Sequence, residues 1–412
     1  MKLRLAMGVL VSLALGACDG SMPAVDAGGG DGGGDAGPIL STVRPGKRSD
    51  VGGVADPASN SIVIFGGDDG PIVNQIPTPN FRDDTWLFQP SAGWMEITVA
   101  THPSARARYA YGYDATNHRM IVFGGRYRSA TSGPYTLYND LWAFDFAART
   151  WTMLHDGSGS APAPRYFAGL AVAADGTIYV LGGGTNTDAL NFTIAEDIWS
   201  FDGTSWTMRP RVGTPPSPRL FETWIHDVGR NRMLAFGGQR GDFFTAAYNE
   251  LYAVELGTGE WSQLDPGTGP SGRFNGMGVH DTTMDRYIVF GGHPDVGTAN
   301  DVWAWNAASG GWTQVSTGDQ FTGGALGCLG NPAEIPSSYV TQDLSSPERR
   351  QGGVFGILGN DAWLFGGEGD CSDHLDDVWR LSLSGGGWSE IIEARTGESC
   401  DRRGDDCQCL CL

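Results

Sequence analysis

The sequence predicts an all-β chain, a propeller of six blades with four antiparallel strands in each. Three observations predict it. A β-branched or aromatic run ending in Gly-Gly occurs six times, as "IVIFGG" (Gly66, Gly67), "IVFGG" (Gly124, Gly125), "YVLGG" (Gly182, Gly183), "LAFGG" (Gly237, Gly238), "IVFGG" (Gly291, Gly292) and "WLFGG" (Gly366, Gly367). Each copy is followed by an acidic residue and then an aromatic, in "DDTWLF", "NDLWAF", "EDIWSF", "NELYAV", "NDVWAW" and "DDVWRL". A lone tryptophan comes seven to nine residues after that aromatic: Trp94, Trp151, Trp206, Trp261, Trp312 and Trp388. A period of about 54 to 75 residues marks a repeat architecture, in which one unit cannot bury its own apolar face and stacks on its neighbours.

Each unit opens on Pro-x-x-Arg, about seventeen residues before its Gly-Gly, at Arg48, Arg106, Arg165, Arg219, Arg273 and Arg350. Strand A follows the arginine ("RYAYGYDA", "RYFAGLAVA"), B ends in Gly-Gly, C carries the acidic residue and its aromatic, and D carries the lone tryptophan. All four are rich in β-branched and aromatic residues and bounded by Gly, Pro, Asn and Asp, the composition of short strands joined by turns. Radial closure of six such blades removes most exposed sheet edges. The glycine pair admits positive φ and close approach of neighbouring groups. The repeated tryptophans are expected to fill the space between blades.

This pattern resembles the kelch repeat over roughly residues 45 to 392. The resemblance implies a kelch-type propeller similar to the central domain of galactose oxidase. Tyr252 replaces the usual tryptophan in the fourth unit, and the histidine common after the kelch arginine is missing throughout. Copper radical oxidases similar to galactose oxidase need two His and two Tyr around copper, one Tyr crosslinked to Cys, with one His from a trailing domain. Here about twenty residues follow the sixth unit and the seven histidines are scattered, so that chemistry is not expected. "SFDGTSW" (Ser200 to Trp206) is similar to a sialidase Asp box but one residue short, and reads as a C to D turn. Gly-rich phosphate loop, nucleophile elbow and His-Glu zinc helix are all lacking. No catalytic, metal or cofactor site is predicted.

The six arginines admit two readings. Equivalent positions would place them in a ring near the central channel, where guanidinium groups suit carboxylates or phosphates. Alternatively each pairs with a blade carboxylate, from Asp84, Asp140, Asp197, Glu250, Asp301 and Asp377; equal numbers favour pairing.

The N-terminus "MKLRLAMGVLVSLALGAC" has basic residues, an apolar stretch too short to span a bilayer, and small residues before a cysteine. "LGAC" resembles the lipobox of bacterial lipoproteins. That implies a signal peptide over 1–17, lipid on Cys18, and a protein exported and anchored at the outer membrane or the periplasmic side of the inner membrane. Residues 18–38 read as a Gly/Asp-rich tether with too little apolar content to order, residues 39–395 as the propeller, and 396–412 as a Cys-rich tail. The formal charge of −20 is the wrong sign for nucleic acid and for anionic lipid, so the lipid anchor is the expected membrane contact. A monomer is expected. Apart from Cys18, six cysteines remain, an even number for an oxidising compartment. Cys328 and Cys371 fall on loops of one face and could bridge. Cys400, Cys407, Cys409 and Cys411 have no pairing legible from spacing, and irregular spacing makes zinc the weaker alternative for them.

The A to B and C to D connections ("DPASNS", "DATNHR", "DVGRNR", "DGTS") are short turns. The B to C and D to A connections are long and irregular, and alternating strand direction puts them at one end, where variable loops on a rigid scaffold usually bind. Arg126, Tyr127, Tyr135, Arg240, Asp242, Phe243, His293, Asp295 and His374 are therefore the candidate ligand-binding residues. The expected function is capture of a protein or glycan at the cell envelope. The alternative is a carbohydrate-active enzyme using carboxylates such as Asp242, Asp295 or Asp370 on the same end.

Overall fold

The computed structural model describes residues 41–395 except positions 71, 74–75, 189–191, 241–245, 296, 322–339, 342 and 370–373. Cys18 with its signal peptide and tether, the tail cysteines, Cys328, Cys371, Asp242, Phe243 and Asp370 lie outside the described residues. What is described is all-β, with no helix, and forms six four-stranded antiparallel blades.

Blade 1 is Gly52–Asp56 (strand A), Ser61–Phe65 (B), Thr85–Gln89 (C) and Gly93–Ile97 (D). Blades 2 to 6 repeat that order over 110–155, 169–209, 223–265, 277–316 and 354–392. Every blade is built from contiguous chain, blade 6 included. The described residues before blade 1 contribute no strand to it; instead Arg44 pairs with Asp376 and its carbonyl accepts from Arg395.

The apolar residues form six clusters, one at each seam between neighbouring blades. At most seams the strand D tryptophan meets the phenylalanine that ends strand B of the preceding blade. Trp151 lies 5.1 Å from Phe65, Trp206 5.5 Å from Phe123, Trp312 5.2 Å from Phe236 and Trp388 5.2 Å from Phe290, between ring centroids. Trp94 closes the circle on Phe365. Trp94, Trp151, Trp206 and Trp261 are buried, Trp312 and Trp388 half-buried.

Both glycines of each pair take positive φ. The second donates its N–H to the arginine carbonyl of the next blade, as from Gly67 to Arg106, Gly125 to Arg165, Gly238 to Arg273, Gly292 to Arg350 and Gly367 to Arg48. The first must be glycine for the same reason: a Cβ on Gly237 would stand 2.3 Å from the Arg273 oxygen. The seam between blades 3 and 4 differs. Strand B of blade 3 ends in Leu181 in place of phenylalanine, a Cβ on Gly182 would clear its nearest neighbour by 3.5 Å, and the ring of Trp224 fills the space.

At the opposite end the turns are self-sufficient. Asp56, Asp114 and Asp281 each accept two backbone N–H bonds of their own A to B turn. Asp202 does the same for Thr204 and Ser205, so the sequence similar to an Asp box is a turn cap.

Candidate functional site

The repeated arginines are consumed by the blades. Arg48, Arg106, Arg165, Arg273 and Arg350 each grip the carboxylate of their own blade, Asp84, Asp140, Asp197, Asp301 and Asp377, through two guanidinium nitrogens, and Arg219 grips Glu250 through one. The same guanidinium donates to the carbonyl of the first glycine, for example Gly66 and Gly124. The strand C tryptophan donates to the same carboxylate, as Trp86 to Asp84 and Trp142 to Asp140, both at 2.7 Å. Arginine, carboxylate and indole thus form one buried unit. Burial alone would raise the Asp84 and Asp197 carboxyls, and Arg48 and Arg165 more than offset it, holding both below the ordinary carboxylate value. None of the six arginines lines the central channel, so the open cationic ring is replaced by six closed pairs.

The channel itself is a cavity of about 320 Å³ walled by the six A strands. The residue two after each arginine takes positive φ, and five of these six, Asp50, Arg108, Phe167, Asn275 and Gly352, line the cavity. Backbone bonds pass from blade to blade between these residues, from Arg108 to Asp50 and from Phe167 to Arg108. Arg108 pairs with Asp50, and its guanidinium lies 4.8 Å from the Phe167 ring centroid.

Deeper in, strand A of blade 4 brings Glu222, Trp224 and His226 to the cavity at the period of two that puts alternate side chains on one face. Gly53 and Gly278 hold the register of Trp224 in blades 1 and 5, where neighbouring strands pack so closely that a Cβ would stand 2.7 Å and 2.5 Å from their atoms. Glu222 Oε2, Trp224 Nε1 and His226 Nε2 have no hydrogen-bond partner among the described residues. Burial pushes the Glu222 carboxyl up to about 8 and His226 down to about 4, so at neutral pH both are uncharged. Sequence reasoning missed this trio. The pattern that could have found it is "ETWIH", which puts an acid, an indole and an imidazole at alternate positions where blades 1 and 3 place only glycine or aliphatic residues.

At the B to C end, Arg126, Tyr127 and Tyr135 come together on blade 2. Arg126 follows the glycine pair and bonds reciprocally with the Ala107 backbone. The Tyr135 ring lies 4.0 Å from its guanidinium and 4.4 Å from that of Arg128. Tyr127 packs on Phe81 of blade 1 at 5.6 Å. Backbone bonds tie this loop to blade 3 through Tyr135 N–H and the Thr187 carbonyl. The other candidates sit on other blades. Arg240 is exposed on blade 4, where Ser217 and Arg240 lower the Tyr248 hydroxyl. Asp295 of blade 5 accepts from the Ala247 N–H, and His293 stacks on Phe274 at 4.8 Å and 13°. His374 of blade 6 is 4 % exposed, and burial lowers its pKa against the pull of Asp68 and Asp50.

Among the described residues no group of three His, Cys, Asp or Glu side chains could hold a metal ion, and no helix is long and apolar enough to cross a membrane.

Comparison with known proteins agrees with this geometry. A family model described as "KLHDC2/KLHL20/DRC7 Kelch-repeats domain" matches residues 38–223 and 201–328. The chain is 26% identical over 286 residues to the N-(sulfonatooxy)prop-2-enimidothioate sulfolyase of Thlaspi arvense, covering 67% of this chain and 74% of that protein. It is 26% identical over 313 residues to the Kelch domain-containing protein 10 homolog of Drosophila melanogaster and 24% identical over 304 residues to the human Kelch domain-containing protein 10. Each match covers 70% of this chain, but only 48% and 61% of those proteins. A solved structure described as "Structure of YjhT" shares the fold, with a TM-score of 0.58 at 14% identity, over 86% of this chain and 99% of that one. The chain belongs to the kelch-repeat family.

Proposed function

We propose that this propeller is a binding module, held at a bacterial envelope through lipid on Cys18, that captures a protein or glycan on the end carrying the B to C loops and D to A linkers. A kelch propeller suggests a protein-interaction module. The observation that carries the choice of end is the asymmetry of side chains left over from the repeat. At the turn end, Asp56, Asp114, Asp202 and Asp281 are spent on capping their own turns. At the loop end, Arg126, Arg128, Tyr127 and Tyr135 cluster with no counterpart in the repeating unit. Arginine and tyrosine are the residues most enriched where binding energy concentrates.

The full chain carrying Cys18→Ser, probed on a glycan array and by crosslinking to envelope proteins, tests the reading. Binding that Tyr127→Ala and Arg240→Ala weaken at unchanged melting temperature, while Thr204→Ala on a turn at the other end does not, is the expected result. The reverse pattern overturns the choice of end. Metabolic labelling with a clickable fatty acid checks the anchor: wild type takes up label, Cys18→Ser does not, and an unlabelled wild type removes the lipid from the proposal.

A further inference from the structure

We propose that Arg126 anchors a carboxylate pocket beside the channel, which takes one carboxylate group of the ligand through the in-plane edge of its guanidinium. This deepens the reading of the loop end as the binding face and rests on it.

The argument begins with what buried arginines do elsewhere in this chain. A guanidinium taken out of water is costly unless paired and hydrogen-bonded. The six repeat arginines meet that demand with a carboxylate each, and the buried Arg349 is paired with Asp319. Arg126 is 8 % exposed, yet its Nε has no acceptor and no carboxylate pairs with it among the described residues. Its nearest ring partners are tyrosines: the Tyr135 centroid lies 4.0 Å from Cζ and the Tyr166 centroid 5.2 Å. Tyrosine rings attract the charge but accept none of its in-plane N–H groups. The edge that carries the unsatisfied Nε is the one through which a guanidinium binds a carboxylate with two parallel bonds.

Charge sets the valence of the ligand. The neighbouring Arg108 is already neutralised by Asp50, and Arg126 has no anion of its own among the described residues. Burial, and then repulsion from Arg108, lower Arg126 to about 10, the mark of a cation short of an anion. One charge matches a monoanion and not a phosphate dianion. The half-buried ring of Phe167, which lines the cavity beside Arg108, offers apolar contact to the rest of the ligand.

The experiment is calorimetric titration of the Cys18→Ser full chain with benzoate, glucuronate and a glutamate-bearing peptide at constant ionic strength, with benzamide and inorganic phosphate as controls. At least one carboxylate binds, benzamide does not, and phosphate binds more weakly. Which of the three binds best separates a free acid, a sugar acid and a protein side chain as the source of the group. Arg126→Met lowers that affinity by about tenfold to a hundredfold, since a charged hydrogen bond contributes about 1.5–3 kcal/mol. Arg126→Lys, which keeps the charge and loses the fork, restores only part of it. Arg126→Met without ligand melts at or above the wild-type temperature, because an uncompensated buried charge has gone. A melting temperature well below wild type, with no carboxylate preferred over benzamide, makes Arg126 a structural residue and overturns the proposal. Phosphate outcompeting every carboxylate overturns the monoanion assignment. The titration involves no macromolecule, so its failure removes the Arg126 pocket and leaves the loop end to be judged by the array and crosslinking.

Discussion

The ring centroid of Trp94 on blade 1 lies 4.7 Å from that of Phe365 on blade 6, at 61°, and this contact sits at the seam where the circle of blades closes. Among the described residues no strand is shared between the first and last blades, and closure rests on side-chain packing, on the backbone bonds from Gly367 N–H to the Arg48 carbonyl and from Arg48 N–H to the Leu375 carbonyl, and on the links from Arg44 to Asp376 and Arg395. Trp94 is 3 % exposed and also meets Phe88 at 5.1 Å. Trp94→Ala is expected to cost about 3–5 kcal/mol, the range for deleting a large buried aromatic. Equilibrium denaturation checks it. A loss under about 1 kcal/mol would show that the seam is held by the backbone latch instead.

The second prediction concerns the arginine and carboxylate of one blade. Arg106 is fully buried, while the Asp140 side chain is 18 % exposed. Arg106→Leu strands the carboxylate and is expected to cost about 3–5 kcal/mol, whereas removing both partners in Arg106→Leu with Asp140→Leu costs less than the sum of the two single changes. A double-mutant cycle by chemical denaturation measures the coupling; strictly additive losses would mean that the pair contributes nothing beyond its separate packing. The same pairing predicts acid sensitivity. Asp84 and Asp197 are lowered in the folded state, so their contribution is present above the ordinary carboxylate value of 3.8 and is lost as pH falls below it through the depressed values.

The repeat was legible because each of its residues answers a backbone or burial demand that recurs six times. Glycine pairs mark where the next blade's carbonyl comes close, the acidic residue marks a guanidinium, and the strand D tryptophan marks a seam. Nothing periodic could reveal what occurs once. Asp50, Arg108 and Asn275 occupy left-handed positions lining the channel where other blades have phenylalanine or glycine. Glu222 lies within three residues of Arg219 and reads as an ordinary loop acid until strand A turns it inward. Arg126 and Tyr135 were legible as loop residues, but not that they stack on each other, because eight residues of loop separate them.

A third prediction contrasts two first glycines with the same sign of φ. At Gly237 (φ +70°) the added Cβ would meet the Arg273 oxygen at 2.3 Å, whereas at Gly182 (φ +62°) the nearest atom would be 3.5 Å away. Both alanine substitutions incur the left-handed penalty of about 1–2 kcal/mol. Gly237→Ala adds a clash with the backbone of the next blade and should destabilise by more than Gly182→Ala in the same thermal melt. Equal losses would mean that the seam between blades 4 and 5 yields as readily as the one between blades 3 and 4.

The last prediction uses the channel and a narrow pH window. Glu222 has a folded pKa of about 8 against an ordinary 4.5, so between those values the native state binds more protons than the unfolded state and stability falls as pH rises. His226 acts in the opposite sense. Its folded value of about 4 against 6.5 makes the unfolded state the better proton binder, so stability rises with pH across that interval. His374 is lowered in the same direction. Between about pH 4.5 and 6.5 the opposed effects overlap, while above 6.5, the midpoint of an ordinary histidine, the histidine contribution fades and that of Glu222 takes over in this group. Wild type should therefore lose stability between pH 6.5 and 8, and Glu222→Gln, which stays neutral at every pH, should flatten that decline. Melting temperatures in matched buffers at constant salt decide it. A wild-type profile that rises over the window, or a Glu222→Gln profile parallel to it, would mean that the carboxyl is ionised in the folded channel and has found a partner there.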